Sequence, residues 1–144
     1  MFKNYQIIFS LFILIVGLSS CDSKINQSCT EVDISPFLGN YHVGESCQQG
    51  FGHNVTFATV NPGFSSSNNQ IIFTNFNNTG QDVEAYVDCN GTYFRIPDQN
   101  LGSSAYTVAG EGDLVNLNGY IQLQFRVQSN EYGQANYCTY TYSK

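Results

Sequence analysis

The sequence predicts an all-β fold of about eight antiparallel strands, connected as an up-and-down meander and closed into a barrel. The chain is rich in Asn, Gly, Ser, Thr, Tyr and Phe and contains a single Met. Strands and turns favour such residues, whereas long exposed helices do not. Short windows of alternating apolar and polar residues recur, with turn signals between them. A β-sandwich built from the same strands is the alternative.

The alternating windows predict the strands in order, because residues at every second position share one face of a strand. The windows lie at 41–43, 55–57, 70–76, 83–88, 92–96, 106–108, 120–128 and 136–142. The clearest is "YIQLQFRVQ" at 120–128, in which every second residue from Ile121 to Val127 is apolar. It predicts a strand with one dry face and one wet face.

Turn signals separate the windows and favour the meander. Asn90-Gly91 predicts a type I′ hairpin, because both central positions of that turn need positive φ. Asn118-Gly119 and the segments 77–80 and 111–113 also mark reversals. Short links place consecutive strands side by side. Closing the sheet removes its exposed edges, so we favour the barrel.

The N-terminal segment has the layout of a secretory signal. Lys3 precedes an apolar run at 7–18, which is shorter than the roughly 20 residues of a membrane span. Leu18-Ser19-Ser20-Cys21 resembles the lipobox of bacterial lipoproteins, which implies that Cys21 is acylated and becomes the mature N-terminus. The acyl chains on such a cysteine attach a protein to a membrane, since each buried methylene contributes ~0.8 kcal/mol to membrane binding. The alternative is an ordinary signal peptide with an incidental Cys21.

These signals divide the chain into a lipoprotein signal peptide at 1–20, a flexible tether at 21–35 and a single β domain at 36–144. The 124 residues left after cleavage are enough for one domain with its own core. Loss of Lys3 leaves four basic against eleven acidic residues, a net charge of −7. An acidic chain without basic clusters argues against a nucleic-acid partner.

Four further cysteines predict two disulfides, because an even number in an exported protein favours pairing. A closed meander makes the first and last strands neighbours, which favours Cys47–Cys138. The chain-entropy model gives this link about 4 to 5 kcal/mol. The two remaining cysteines would then pair as Cys29–Cys89, with the tether that carries Cys29 crossing the rim of the barrel to reach Cys89. No cysteine lies close in sequence to another or at ligand spacing from a histidine, so we expect no metal site and no cofactor.

Several segments carry a family resemblance. "FLGNY" at 37–41 resembles the Gly-x-Trp start of lipocalin-like barrels, with Tyr41 in place of Trp. Over residues 29–144, the order "FLGNYHV…C", "IIFTNF", "VEAYVD", "FRIPDQ", "VAGEG", "IQLQF" and "YCTYTY" is similar to a group of small uncharacterised Bacteroidetes-type lipoproteins. The resemblance implies a lipocalin-like β domain behind a lipidated cysteine in the bacterial cell envelope, on the outer membrane. It implies no catalytic residues.

Side chains suited to catalysis are sparse. Of the two histidines, His42 is expected outward on the first strand and His53 at the rim, before the second strand. No hydrolase, zinc-protease or phosphate-loop motif occurs. The chain has 10 Tyr and 11 Phe, and Tyr93, Tyr120 and Tyr137 fall on outward faces. They form a candidate contact surface, unless they only stabilise the sheet through cross-strand pairs.

The sequence therefore predicts a non-enzymatic, membrane-anchored lipoprotein that binds a small ligand or an envelope protein through its β domain. A structural or accessory subunit of an envelope complex is the first alternative and a hydrolase the second. A ligand binder should contain a cavity of roughly 300 Å³ lined by inward aromatic side chains. An enzyme should bring a histidine beside a carboxylate in a cleft.

Overall fold

A computed structural model describes residues 32–49, 52–64 and 68–144. Eight strands form a closed antiparallel barrel in which each strand pairs with the next and the last pairs with the first, which confirms the predicted meander. The strands are β1 Gly39–Cys47, β2 Phe57–Pro62, β3 Gln70–Thr74, β4 Val83–Val87, β5 Tyr93–Leu101, β6 Ser103–Leu117, β7 Tyr120–Glu131 and β8 Gln134–Ser143. Short 3-10 turns occupy Ser35–Phe37 and Phe76–Asn78. Within these ranges, no helix is long and apolar enough to span a membrane.

The turns follow the prediction only in part, since the reversal expected at 111–113 is wrong and those residues lie within β6. Asn90-Gly91 does not form a type I′ turn, because only Gly91 has positive φ and a five-residue connection joins β4 to β5. The Asp88 carboxylate organises that connection by accepting hydrogen bonds from the backbone amides of Thr92 and Tyr93, each at 2.9 Å. The predicted reversal at Asn118-Gly119 is confirmed as a two-residue link with positive φ at both positions, and a second such link, which was not predicted, lies at 132–133.

Aromatic side chains fill the middle of the barrel. The inward positions of four strands supply five rings that are at most 2% exposed and whose neighbouring centroids lie 4.9 to 6.3 Å apart. These rings belong to Phe73, Phe94, Phe125, Tyr140 and Tyr142. Such spacings are those of aromatic groups in direct contact. The barrel is therefore solid at this level.

The chain before β1 closes one end of the barrel, which we call the capped end. Phe37 is fully buried and packs edge-on against Phe94, with ring centroids 6.1 Å apart. The Tyr41 hydroxyl donates to the Phe37 carbonyl at 2.7 Å. Val32 and Ile34, within the segment expected to be tether, also pack against the core. The folded unit thus includes residues before Pro36.

The predicted Cys47–Cys138 disulfide is confirmed. The two cysteines lie directly opposite each other in the ladder between β1 and β8, with Cα atoms 4.0 Å apart. The bond therefore links the first strand to the last. Cys89 is also disulfide-bonded. Its predicted partner Cys29 lies outside the described residues, as do Cys21 and the leader, so Cys29–Cys89 stays a prediction.

Two inward glycines allow β6 to lie close to β7. Gly110 and Gly112 pair with Val127 and Phe125. A Cβ on Gly112 would overlap the Cβ of Phe125, and one on Gly110 would overlap the Arg126 carbonyl oxygen. Glycines at such positions permit the strong curvature that small barrels require.

We predict that Gly112→Ala lowers the free energy of unfolding by about 2 to 3 kcal/mol, because the added methyl overpacks the contact between strands. Gly44→Ala is the matched control, since its Cβ would lie at an ordinary 3.8 Å from the Thr141 carbonyl oxygen. Urea denaturation of both variants measures the difference. Equal stability of the two would contradict the role given to Gly112.

Candidate functional site

A carboxylate faces the barrel interior at the end opposite the cap. The inward positions of β1 are Tyr41, Val43, Glu45 and Cys47, so Glu45 lies on the same face as the core residues. Its side chain is only 7% exposed. A buried carboxylate is costly unless hydrogen bonds or opposite charge compensate for lost water. The surroundings of Glu45 therefore define this end, which we call the polar end.

Glu45 meets partners at both carboxylate oxygens. Oε2 accepts a hydrogen bond from the backbone amide of His53 at 2.7 Å. Oε1 lies 2.8 Å from Nδ1 of the same histidine and accepts from the Tyr140 hydroxyl at 2.9 Å. The close approach of the loop depends on Gly52, because a Cβ there would lie 3.2 Å from Oε2. Backbone, imidazole and phenol together hold the carboxylate.

His53 bridges two carboxylates. Its Nε2 lies 3.1 Å from Oε1 of Glu131, at the end of β7, and its side chain is 17% exposed. A neutral imidazole carries one N–H and can donate to only one of the two carboxylates; the imidazolium can donate to both. The polar end thus concentrates two carboxylates around one imidazole.

The network continues from Glu45 through Tyr140 to Asn77, whose amide donates to the Tyr140 hydroxyl at 2.9 Å. Burial, reinforced by the charge of Glu45, raises the pKa of Tyr140 far above its usual range. Asn77 lies in the 3-10 turn between β3 and β4 and adopts positive φ. Five side chains therefore form one chain of contacts, in the order Asn77, Tyr140, Glu45, His53 and Glu131.

Three buried polar atoms at this end have no hydrogen-bond partner among the described residues. They are Asn77 Oδ1, the Tyr106 hydroxyl and Asn136 Oδ1. Burial raises the pKa of Tyr106 to about 12, and the nearby charges of Glu131 and Glu45 add to the effect. Buried groups of this kind ordinarily bind water or a ligand. One of the three residues, Asn136, lines a depression of about 330 Å³ together with Glu131.

The predicted contact tyrosines do not form one surface. Tyr120 is 70% exposed in the β6–β7 hairpin at the capped end, and Tyr137 is 47% exposed near the start of β8. Tyr93 is partly buried, and its hydroxyl donates to the Glu111 carboxylate at 2.5 Å. His42 faces outward as predicted and packs against Phe57, with ring centroids 4.7 Å apart.

A groove runs across the outer face of β5 to β8 and β1, with a volume of about 690 Å³. Its lining combines the two arginines of the barrel, two carboxylates and one of the predicted tyrosines: Arg95, Arg126, Asp98, Glu111 and Tyr137. Charged groups and an aromatic ring share this concave face.

The polar end also gathers potential metal ligands. One ligand atom from each of Glu45, Cys47, His53 and Cys138 lies within 4.8 Å of the others. Two of the four are sulfurs joined in the disulfide. Glu45, Cys47 and His53 are near one another in sequence, whereas Cys138 is distant and reaches them through the ladder between β1 and β8.

Sequence reasoning gave no role to Glu45 or Glu131, and it placed His53 at the rim without partners. One available signal was parity, since Glu45 shares the inward face of Tyr41 and Cys47. Glu131 carries no such signal. Its position depends on the register between β7 and β8, which the Tyr132-Gly133 turn sets.

Neither a protein-family model nor a curated protein sequence matches this chain.

The buried tyrosines predict a loss of stability at alkaline pH. Burial raises the pKa of Tyr142 far above the value of about 10 in an unfolded chain. Above pH 10 the unfolded chain releases this proton while the folded barrel keeps it. The contribution of Tyr142 is therefore complete below pH 10 and is lost as pH rises, at about 1.4 kcal/mol per pH unit.

We predict that Tyr142→Phe reduces the slope of unfolding free energy against pH by about 1.4 kcal/mol per unit between pH 10 and 12. Urea denaturation at several pH values gives the slope. Tyr120→Phe, on the exposed hairpin, is the control and should leave the slope as in the wild type. If the slope of Tyr142→Phe equals that of the wild type and of Tyr120→Phe, burial of Tyr142 is not a cause of the alkaline loss of stability.

Proposed function

We propose that this protein is a non-enzymatic lipoprotein of the bacterial cell envelope, anchored through acylated Cys21, whose β-barrel binds a polar ligand or envelope partner on its outer face. The observation that carries the choice of face is the packed interior. Ring contacts of 4.9 to 6.3 Å occupy the level at which a lipocalin-like barrel would enclose an apolar ligand. The groove on the outer face offers the space that this interior lacks.

The chemistry of the groove supports a polar ligand. Arg95 and Arg126 are two of the three basic residues in the described part of the chain, and both line the groove. Tyr137 supplies a rigid ring that can pack on an apolar face and a hydroxyl that can form a hydrogen bond with a ligand. Envelope glycans and acidic protein segments both present such combinations.

The geometry of the polar end favours a non-enzymatic role. His53 lies beside two carboxylates, the arrangement expected for a hydrolase, but both of its ring nitrogens are engaged. Glu45 is likewise occupied at both oxygens. A general base must accept a proton from a substrate within hydrogen-bond reach. Here the ring nitrogens of His53 and the carboxylate oxygens of Glu45 already contact other groups of the protein. None of these atoms is left to accept a proton from a substrate.

A role as an accessory subunit is the second candidate, because apolar side chains are exposed around β2. Phe57 is 67% exposed and Phe64 is 95% exposed. Exposed aromatic side chains favour contact with a protein surface. A partner bound there would occupy a different side of the barrel from the groove.

The anchor is tested by metabolic labelling with radioactive palmitate. We expect the wild-type chain to incorporate label and remain with the membrane fraction, and Cys21→Ala to do neither. Cys47→Ala, which removes a cysteine of the barrel, is the control and should still be labelled. Equal labelling of wild type and Cys21→Ala would contradict the anchor.

The groove is tested by site-specific photocrosslinking in intact cells. We expect p-benzoylphenylalanine at position 137 to give a discrete adduct, whereas the same residue at position 120 on the capped end gives none. Arg126→Ala should lower the yield at 137 at least about fivefold, equivalent to about 1 kcal/mol of binding free energy. An adduct from 120 alone, or one insensitive to Arg126→Ala, would argue against the groove.

A further inference from the structure

We propose that reduction of the Cys47–Cys138 disulfide creates a Zn²⁺ site at the polar end of the barrel. The four ligands are the Cys47 and Cys138 thiolates, Nδ1 of His53 and Oε1 of Glu45. Cys47 and Cys138 also border the groove, but the proposed ligand set includes none of its charged or aromatic side chains and does not need the anchor, so the proposal does not rest on the outer-face binding role.

The ligand atoms are already close to zinc dimensions. All four lie within 4.8 Å of one another. Oε1 of Glu45 is 2.8 Å from Nδ1 of His53 and 3.4 Å from Sγ of Cys47. Tetrahedral zinc with Zn–N of about 2.0 Å and Zn–S of about 2.3 Å separates its ligand atoms by roughly 3.3 to 3.8 Å. Because Cys47 and Cys138 are paired across the ladder, reduction leaves their sulfurs as neighbours.

The groups that orient zinc ligands are also present, which is an observation independent of the cysteines. A metal-bound histidine typically donates its second ring N–H to a carboxylate. Nε2 of His53 lies 3.1 Å from Oε1 of Glu131, while Nδ1 faces the ligand set. The backbone amide of His53 holds the other oxygen of Glu45 at 2.7 Å. Both non-sulfur ligands are thus fixed before a metal arrives.

The ligand types favour zinc over calcium or magnesium. Thiolate and imidazole groups suit Zn²⁺, whereas Ca²⁺ and Mg²⁺ prefer sets made entirely of oxygen. Two thiolates and one carboxylate compensate the dication in a site where Glu45 is 7% exposed and Cys138 is 3% exposed. His53 binds as the neutral imidazole, with its proton on Nε2 toward Glu131.

The reductant is a dithiol of the thiol–disulfide exchange class. Its thiolate attacks Sγ of Cys47, which is more exposed than Cys138. The Cys47–Cys138 bond breaks, Cys138 leaves as a thiolate, and a mixed disulfide forms on Cys47. The second donor thiolate displaces Cys47 and the donor becomes a disulfide. Two electrons and two protons pass to the cysteines, and the protons are released when Zn²⁺ binds.

Cobalt titration tests the site. The full chain, extracted in detergent, is reduced with a dithiol that is then removed without air, and Co²⁺ alone is added. We expect one Co²⁺ per chain with a thiolate-to-cobalt charge-transfer band, displaced by Zn²⁺, and no band in the oxidised chain. Binding of equal affinity in the oxidised chain, or no band in the reduced one, would overturn the proposal.

Variants assign the ligands. Cys47→Ser with Cys138→Ser should abolish the band although Cys89 remains reducible. His53→Gln should weaken binding at least about tenfold, and Glu131→Gln by about 10- to 100-fold. His42→Gln, on the outward face, is the matched control and should bind as the wild type does. A band that survives the double serine variant, or equal effects at His42 and His53, would refute the assignment.

If reduction unfolds the barrel, the cobalt titration is replaced by circular dichroism, which measures whether Zn²⁺ restores the folded chain. Zinc that binds only the folded chain stabilises it. Recovery of the β spectrum of the reduced chain on addition of Zn²⁺, absent in His53→Gln, supports the site. Failure of Zn²⁺ to restore that spectrum in a reduced, unfolded chain would overturn it.

Discussion

The pairing of β1 with β8 is the constraint on which the other features depend. It converts an open meander into a closed barrel and removes both sheet edges. The same register places Cys47 opposite Cys138 and Glu45 opposite Tyr140. A slip of one residue would turn every inward side chain of β1 outward. The disulfide therefore fixes the alignment that also creates the polar end.

The barrel combines a solid middle with two different ends. Aromatic rings fill the centre, and the segment before β1 covers the capped end with Phe37. The polar end instead contains the Glu45 network and the buried atoms that have no partner among the described residues. Because the aromatic layer separates the ends, the groups at the polar end come from the strand ends, from the loop at 52–54 and from the 3-10 turn that carries Asn77.

Much of the fold follows from alternation and turn residues, whereas the site does not. Alternation, clearest in β7, predicted the strands of the barrel. Its closure makes the first and last strands neighbours, which predicted the Cys47–Cys138 disulfide. Local turn chemistry was less reliable. Tyr132-Gly133 forms a tight two-residue reversal that composition does not suggest, whereas Asn90-Gly91, which has the composition of such a turn, does not form one. Parity indicates that Glu45 faces inward, but the contact of His53 with Glu131 joins distant segments of the chain, and no local pattern encodes it.

The position of the disulfide beside the buried carboxylate links the redox state of the barrel to its electrostatics. In the oxidised state the sulfurs are neutral, and His53 is the basic group available to Glu45 and Glu131. Reduction adds two thiols at the same place, and their ionisation next to Glu45 is unfavourable unless a cation compensates. A metal ion then relieves the repulsion and reconnects β1 to β8 at the point where the covalent bond was lost. The polar end can thus hold the barrel closed in either redox state, by a covalent bond or by coordination.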